Sequence, residues 1–210
     1  MSNNVQQGYN RWANSYDAVE NKTRDMDKMA TQTVLKDILF SDVLELGCGT
    51  GKNTIWLAEK AKQLMAVDFA AEMIAKAKVK VASENVQFMQ TDITQPWPLD
   101  NNSFDLITCN LILEHIVHLE PVFTEARRVL KPDGKFYISE LHPFKEYTGS
   151  KARFEQNNEQ IILDCYTHHI SDFFNSAVAN GFCCIQLNEW FDEEEKALPR
   201  LITFLFKKKK

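Results

Sequence analysis

The chain has 210 residues, 44% of them hydrophobic and 25% charged, with a formal net charge of −5. These averages exclude collagen-like, disordered and disulfide-scaffold classes and suit a single domain, given roughly 100–200 residues per domain. The acidic balance repels phosphate backbones and disfavours a nucleic-acid substrate, and no apolar run approaches the roughly 18 residues of a membrane span.

In chain order, the stretch 1–40 opens with a polar segment, Met1 to Asn10, that lacks the apolar core of a signal peptide. An aromatic-rich run follows from Gly8 to Asp17. Met26, Ala30, Val34 and Ile38 then recur every four residues, with Leu35 and Leu39 beside them, as one face of a helix. From 42 to 141 short strands alternate with helices. Strands are read at Val43–Leu46, Leu64–Val67, Val86–Met89, Phe104–Asn110 and Gly134–Leu141. Helices are read around Ile55–Ala61, Ile74–Val81 and Val122–Leu130, the last entered through Pro121 and stopped by Pro132-Asp133-Gly134. Such alternation implies right-handed crossovers and a largely parallel, doubly wound α/β sheet with helices on both faces. The stretch 142–170 shows no clear periodicity. From 171 to 210 a helix capped by Ser171 and stopped by Gly181 precedes two β-like runs, Cys183–Phe191 and Arg200–Phe206. The acidic loop Asp192 to Glu195 joins them, so an antiparallel hairpin at the sheet edge is expected. The lysine tail Lys207–Lys210 reads as a solvated end. Cys48, Cys109, Cys165, Cys183 and Cys184 form no C-x-x-C pair, and the compartment expected for them is the reducing cytoplasm.

One motif carries chemistry. Glu45-Leu46-Gly47-Cys48-Gly49-Thr50-Gly51 follows the first strand and precedes the first helix of the alternating region. Glycines there permit a tight turn and close ligand approach, and the helix start adds unpaired N–H groups. Asp68 ends the second strand, where a carboxylate can accept from both hydroxyls of a ribose. An adenosine-containing ligand at the carboxyl ends of the strands is the consequence. The spacing is G-x-G-x-G rather than the dinucleotide G-x-G-x-x-G, and Leu46 and Asn53 rule out a P-loop around Lys52. Glu45 is a poor neighbour for a pyrophosphate and suits an ammonium or sulfonium.

With these residues the chain resembles the class I S-adenosylmethionine-dependent methyltransferases, of the small-molecule type similar to the ubiquinone/menaquinone-biosynthesis enzymes. The likeness covers about 42–141 and, less fully, the N-terminal stretch. It implies a Rossmann-like, mostly parallel seven-stranded sheet with an antiparallel C-terminal strand. It also implies N-terminal lid helices over 1–40, a cofactor-binding core over 42–141 and a substrate-side insertion over 142–170. Glu45, Gly47, Cys48, Gly49 and Gly51 would pass beneath the methionine part of S-adenosylmethionine. Asp68 would hold the ribose, with Phe69 beside the adenine and Met73 close by. Asp92 would bind the adenine amino group and Ile93 offer its backbone N–H. Asn110, Leu111 and His115 lie at the fourth-strand exit, and Tyr9, Trp12 and Tyr16 fit a Y-x-x-W-A-x-x-Y-D lid pattern.

Methyl transfer needs alignment and water exclusion, and a base only where the nucleophile is protonated. Histidine is the natural base near neutral pH, so His142, at the fifth-strand exit, and then His115 and His169 are the candidates. Tyr9, Trp12, His142, Phe144, Tyr166 and Trp190 are the candidate acceptor contacts, and their aromatic content suggests a small, partly apolar molecule. His115 and His118 are spaced as a metal pair without an evident third ligand, so no metal is expected. A non-catalytic cofactor-binding member of the fold and a nicotinamide oxidoreductase are the competing classes. Nothing along the chain separates a monomer from a homodimer.

Overall fold

The computed structural model describes residues 1–156, 159–194 and 196–210, so Glu195 of the expected acidic loop and two residues of the 142–170 stretch lie outside the described residues. Two helices, α1 (Asn3–Trp12) and α2 (Lys22–Leu35), precede the alternating region. There β1 (Asp42–Leu46), α3 (Lys52–Lys60), β2 (Gln63–Asp68), α4 (Ala71–Lys80) and β3 (Val86–Gln90) are followed by β4 (Phe104–Asn110), α5 (Glu120–Val129) and β5 (Leu130–Leu141). A short helix, α6 (Pro143–Tyr147), and a separate hairpin, β6 (Arg153–Gln156) with β7 (Glu159–Ile162), come next. The chain then runs through α7 (Ile170–Ala179), β8 (Phe182–Phe191) and β9 (Pro199–Lys208).

The seven-stranded sheet has the order β3-β2-β1-β4-β5-β9-β8. The pairs from β3 to β5 are parallel, and β9 is antiparallel to both neighbours. Chain direction reverses its march across the sheet between β1 and β4, which opens a crevice at their carboxyl ends. Strand alternation sends Leu44 and Leu46 to one face and Val43 to the other. The first face packs against α5 and α7 through Phe123, Phe136, Phe173, Phe182 and Phe204. Their rings meet edge-to-face, tilted or stacked at 4.9–6.1 Å, contacts worth about 0.5–1.5 kcal/mol per pair beyond area burial. The second face packs against α2 and α3 through Val34, Leu35, Leu57, Leu64 and Tyr137.

Three local expectations are corrected. The α2 face does not run on to Leu39: the helix stops at Leu35 and Leu39 is 93% exposed. Its buried stripe includes Arg24, Asp27 and Thr31, because this face meets a polar site as well as the core. The N-cap of α7 is His169, whose N–H donates to the Asp172 carboxylate at 2.8 Å, so Ser171 lies inside the helix. Pro132-Asp133-Gly134 interrupts β5 rather than preceding it. Leu130 already pairs with Phe104, Asp133 takes φ 62°, and pairing resumes at Lys135.

Asn21 caps α2, its side-chain oxygen accepting from the N–H groups of Thr23 and Arg24 at 3.0 Å each. Asn21→Ala should cost about 1 kcal/mol and lower the melting midpoint by about 2–4 °C. Thermal denaturation followed by circular dichroism checks this; an unchanged midpoint would show that water replaces the cap without loss.

Candidate active site

A cavity of about 310 Å³ lies in the crevice at the ends of β1, β2 and β4. Its floor is the glycine turn after β1. Gly47 has φ +71°, and a Cβ there would stand 2.4 Å from Ile112 Cγ2, so only glycine fits. At Gly49, φ +53°, a Cβ would meet nothing within 4 Å: the bare backbone faces open space. The turn is pinned from behind, since the Gly47 and Cys48 N–H groups donate to the Val67 carbonyl.

Asp68 closes one side. Its carboxylate accepts from the N–H groups of Gly49 and Ala70 at 2.8 Å each, and burial raises its pKa against those bonds. Glu45 lies on the α3 side of β1, so it is buried, accepting from the Thr54 hydroxyl at 2.6 Å. Burial pushes its carboxyl up to about 8, and the nearby Asp27 and Asp68 carboxylates add to the shift. Glu45 is therefore largely protonated at neutral pH, and a cation arriving beside it would draw the proton off.

On the opposite wall Asp27 of α2 accepts from Lys52 Nζ and Asn53 Nδ2 at 3.0 Å and from Asn110 Nδ2 at 2.7 Å. This knot ties α2, α3 and the β4 exit together. Arg24 donates to the carbonyls of Tyr16 and Val19, and its guanidinium carbon lies 4.1 Å from the Tyr16 ring centroid. Burial pushes the Tyr16 hydroxyl up to about 12 despite that cation. Three lining residues keep a buried polar atom without a partner: Arg24 Nε, Thr91 Oγ1 and Asn110 Oδ1. Unmet groups of this kind are costly unless a ligand or water serves them.

Helix α1 and the Tyr16–Ala18 turn cover the cavity. Gln6 donates to the Phe69 carbonyl at 2.9 Å, Asn10 accepts from the Glu72 N–H at 3.0 Å, and Asp17 accepts from Thr50 at 2.8 Å and Lys80 at 3.0 Å. Trp12 lies behind this cover, stacked on Phe154 of the β6–β7 hairpin at 5.0 Å. Tyr9 reaches through to the cavity, its hydroxyl 2.8 Å from His115 Nε2.

Of the expected cofactor residues, Tyr16, Glu45, Gly47, Cys48, Gly49, Asp68, Phe69, Met73, Ile93, Asn110, Leu111 and His115 line the cavity. Gly51 sits one step behind, at the start of α3. Asp92 also stands just outside the lining, between Thr91 and Ile93, and its oxygens accept from Thr94 and the Met1 ammonium. Burial opposes those bonds, yet they hold its carboxyl below the usual range.

Most of the expected acceptor and base residues lie elsewhere. His142 accepts from the Phe144 N–H as the cap of α6 and bonds Glu189 at 3.0 Å, and neither His142 nor Phe144 reaches the cavity. His169 caps α7 and bonds the Tyr147 hydroxyl. Trp190 donates to Thr203 against the second core face. Tyr166 borders a separate shallow depression with His118 and His168, so His118 and His115 point to different places. Among the described residues no cluster of three His, Cys, Asp or Glu side chains could hold a metal.

Sequence reasoning missed Arg24, Asp27, Lys52 and Asn53. The signal was present: Arg24, Asp27 and Thr31 follow helical spacing on the same face as Val34, a polar stripe where core was expected.

Comparison with known proteins agrees with this geometry. Residues 44–138 match the family described as a methyltransferase domain. The chain is 30% identical over 115 residues to a demethylmenaquinone methyltransferase of Clavibacter sepedonicus, a match covering 54% of this chain and 46% of that protein. It is 29% identical over 145 residues to a ubiquinone biosynthesis O-methyltransferase of Xanthomonas oryzae, covering 67% of this chain and 59% of that one. The chain thus spans about half the length of the curated relatives it matches. The solved structure of a DhpI-SAM-HEP complex shares the fold, with a TM-score of 0.79, 22% identity and coverage of 98% and 99% of the two chains.

Proposed function

We propose that this chain, whose residues 44–138 match the methyltransferase-domain family, transfers a methyl group from S-adenosylmethionine to a small, partly apolar acceptor. The observation that carries the reading is the open glycine floor at Gly49 flanked by the Asp68 and Glu45 carboxylates. When bound, S-adenosylmethionine supplies an electrophilic methyl group on a positively charged sulfur. Asp68 would accept from the ribose hydroxyls, and Phe69, Met73 and Ile93 would enclose the adenine. Asp92 would take its amino group in exchange for present partners. Glu45 would face the ammonium, and Arg24, with its unmet Nε, the carboxylate of the methionyl end.

The chain's own work is alignment and exclusion of water, which contributes up to roughly 7–11 kcal/mol in well-oriented reactions. The cover formed by α1 and the Tyr16–Ala18 turn provides the exclusion. A quinone or a precursor of one is the acceptor class in keeping with the names of the curated relatives. The net charge of −5 supports a small molecule over a nucleic acid, and five free thiols support a cytoplasmic setting. Among the described residues no helix is long and apolar enough to cross a membrane.

A thermal-shift titration with S-adenosylhomocysteine, run beside NAD, tests the cofactor. At 100 times its dissociation constant the ligand adds about 2.7 kcal/mol, or about 5–11 °C of melting midpoint for a chain of this size. A dose-dependent shift with S-adenosylhomocysteine alone is the expected result. A shift with NAD alone would replace the reading with a dehydrogenase, and no shift with either would leave a fold without its cofactor.

A further inference from the structure

Among the described residues His115 is the one histidine lining the cavity. Its Nδ1 lies 2.7 Å from the backbone carbonyl of Asp164. A carbonyl only accepts, so Nδ1 carries the hydrogen, and in the neutral ring Nε2 is left with its lone pair. The Tyr9 hydroxyl, 2.8 Å from Nε2, must then be the donor. That leaves the tyrosine oxygen free to accept from a group in the cavity. The arrangement is rigid: the Tyr9 ring stacks on Trp12 at 5.9 Å and meets the His115 imidazole edge-on at 5.4 Å. A carboxylate waits behind it. Glu114 Oε1 is 3.9 Å from the same Nε2, and its Oε2 is buried without a partner. The other titratable neighbours are Cys165, whose sulfur is 4.0 Å from Nδ1, and, on the Tyr9 side, Tyr16, its ring centroid 6.3 Å from that of Tyr9, and the Asp68 carboxylate.

We propose that Tyr9 and His115 form a proton relay serving an acceptor whose attacking atom is a protonated hydroxyl. This rests on the methyl-transfer reading above. Tyr9 Oη takes the acceptor's proton while its own proton passes to His115 Nε2. The electron pair freed on the acceptor oxygen forms the bond to the methyl carbon. The carbon–sulfur pair leaves with sulfur, which becomes a neutral thioether. One positive charge is lost at sulfur and one appears on the imidazole, where Glu114 stands as counter-charge. A phenol needs this relay; a nucleophile that is already ionised does not.

The test uses the full chain with S-adenosylmethionine and two probes: catechol, a protonated hydroxyl acceptor, and 2-nitro-5-thiobenzoate, a thiolate at assay pH. In Tyr9→Phe and His115→Gln, catechol methylation should fall by at least about 100-fold relative to thiolate methylation by the same variant, the usual scale of general-base catalysis. Equal losses with both probes, or no loss with catechol, would overturn the relay. Nitrogen-15 spectra of histidine-labelled protein with S-adenosylhomocysteine supply a readout that needs no acceptor. They should show His115 neutral with hydrogen on Nδ1, and a displaced Nε2 signal in Tyr9→Phe. Hydrogen on Nε2 in the unmodified protein would refute the relay even if neither probe is methylated. Failure to bind S-adenosylhomocysteine would instead strike at the methyl-transfer reading itself.

Discussion

Asp68→Ala should weaken S-adenosylhomocysteine binding by roughly 10²–10⁴-fold in a calorimetric titration, the largest loss expected from any single substitution at the site. A ribose presents two neighbouring hydroxyls, and the Asp68 carboxylate is the group at the end of β2 placed to accept from them. Hydrogen bonds to a charged group contribute about 1.5–3 kcal/mol each, so two amount to about 3–6 kcal/mol, with each 1.4 kcal/mol equal to a factor of ten. The same side chain holds the N–H groups of Gly49 and Ala70 at 2.8 Å, so its loss also loosens the turn. Asp68→Asn keeps one accepting oxygen and should lose less. Binding of the alanine variant within a few-fold of the parent, in protein shown folded by circular dichroism, would remove Asp68 from the cofactor contacts.

The second large effect concerns Glu45 and has opposite signs for stability and binding. In the unliganded fold its carboxyl titrates at about 8, whereas an unfolded glutamate titrates near 4.5. The folded state therefore holds a proton that the unfolded state has released. Stability falls as pH rises from about 4.5 to about 8 and is level above that. At 1.36 kcal/mol per unit, the penalty at pH 8 is on the order of 3–5 kcal/mol. Glu45→Gln abolishes it, so the variant should match the parent at pH 4 and exceed it in urea denaturation at pH 8. Cofactor binding should move the other way. A ligand ammonium favours the carboxylate, so parental affinity should rise with pH, by up to tenfold per unit below about 8, and flatten above it. The glutamine variant should bind more weakly, with no such slope. Parallel pH profiles for the two proteins would show that Glu45 does not meet the charge.

The alternating core was readable because its strands are covered on both faces and so appear as short apolar runs closed by helix signals. β4 was read at its observed limits, Phe104–Asn110. The glycine turn was readable because its positive φ angles leave glycine few substitutes. The 142–170 stretch resisted reading because its hairpin is set by packing against α1, through Trp12 and Phe154, which no local period encodes. The three histidines were alike as letters and differ only in tertiary direction. His115 turns inward on the short Leu113–His115 helix, whereas His142 and His169 are consumed in capping α6 and α7. The polar residues of α2, Arg24 and Asp27, carry the same helical spacing as Val34, but the apolar residues beside them already satisfied that period and so claimed the face for the core.

The place of β9 has a consequence for how the protein is made. Although it follows β8 in the chain, β9 lies between β5 and β8, pairing Lys135–Leu141 with Leu201–Lys207. On the ribosome, where synthesis is vectorial, β5 therefore waits with an open edge until residues beyond 200 have been added, and β8 has no sheet to join in the meantime. Phe136 and Ile138, fully buried in the finished fold, lie on that waiting strand. Nascent chains stalled before Pro199 should accordingly recruit chaperones that bind apolar strands, and those released past Lys208 should not.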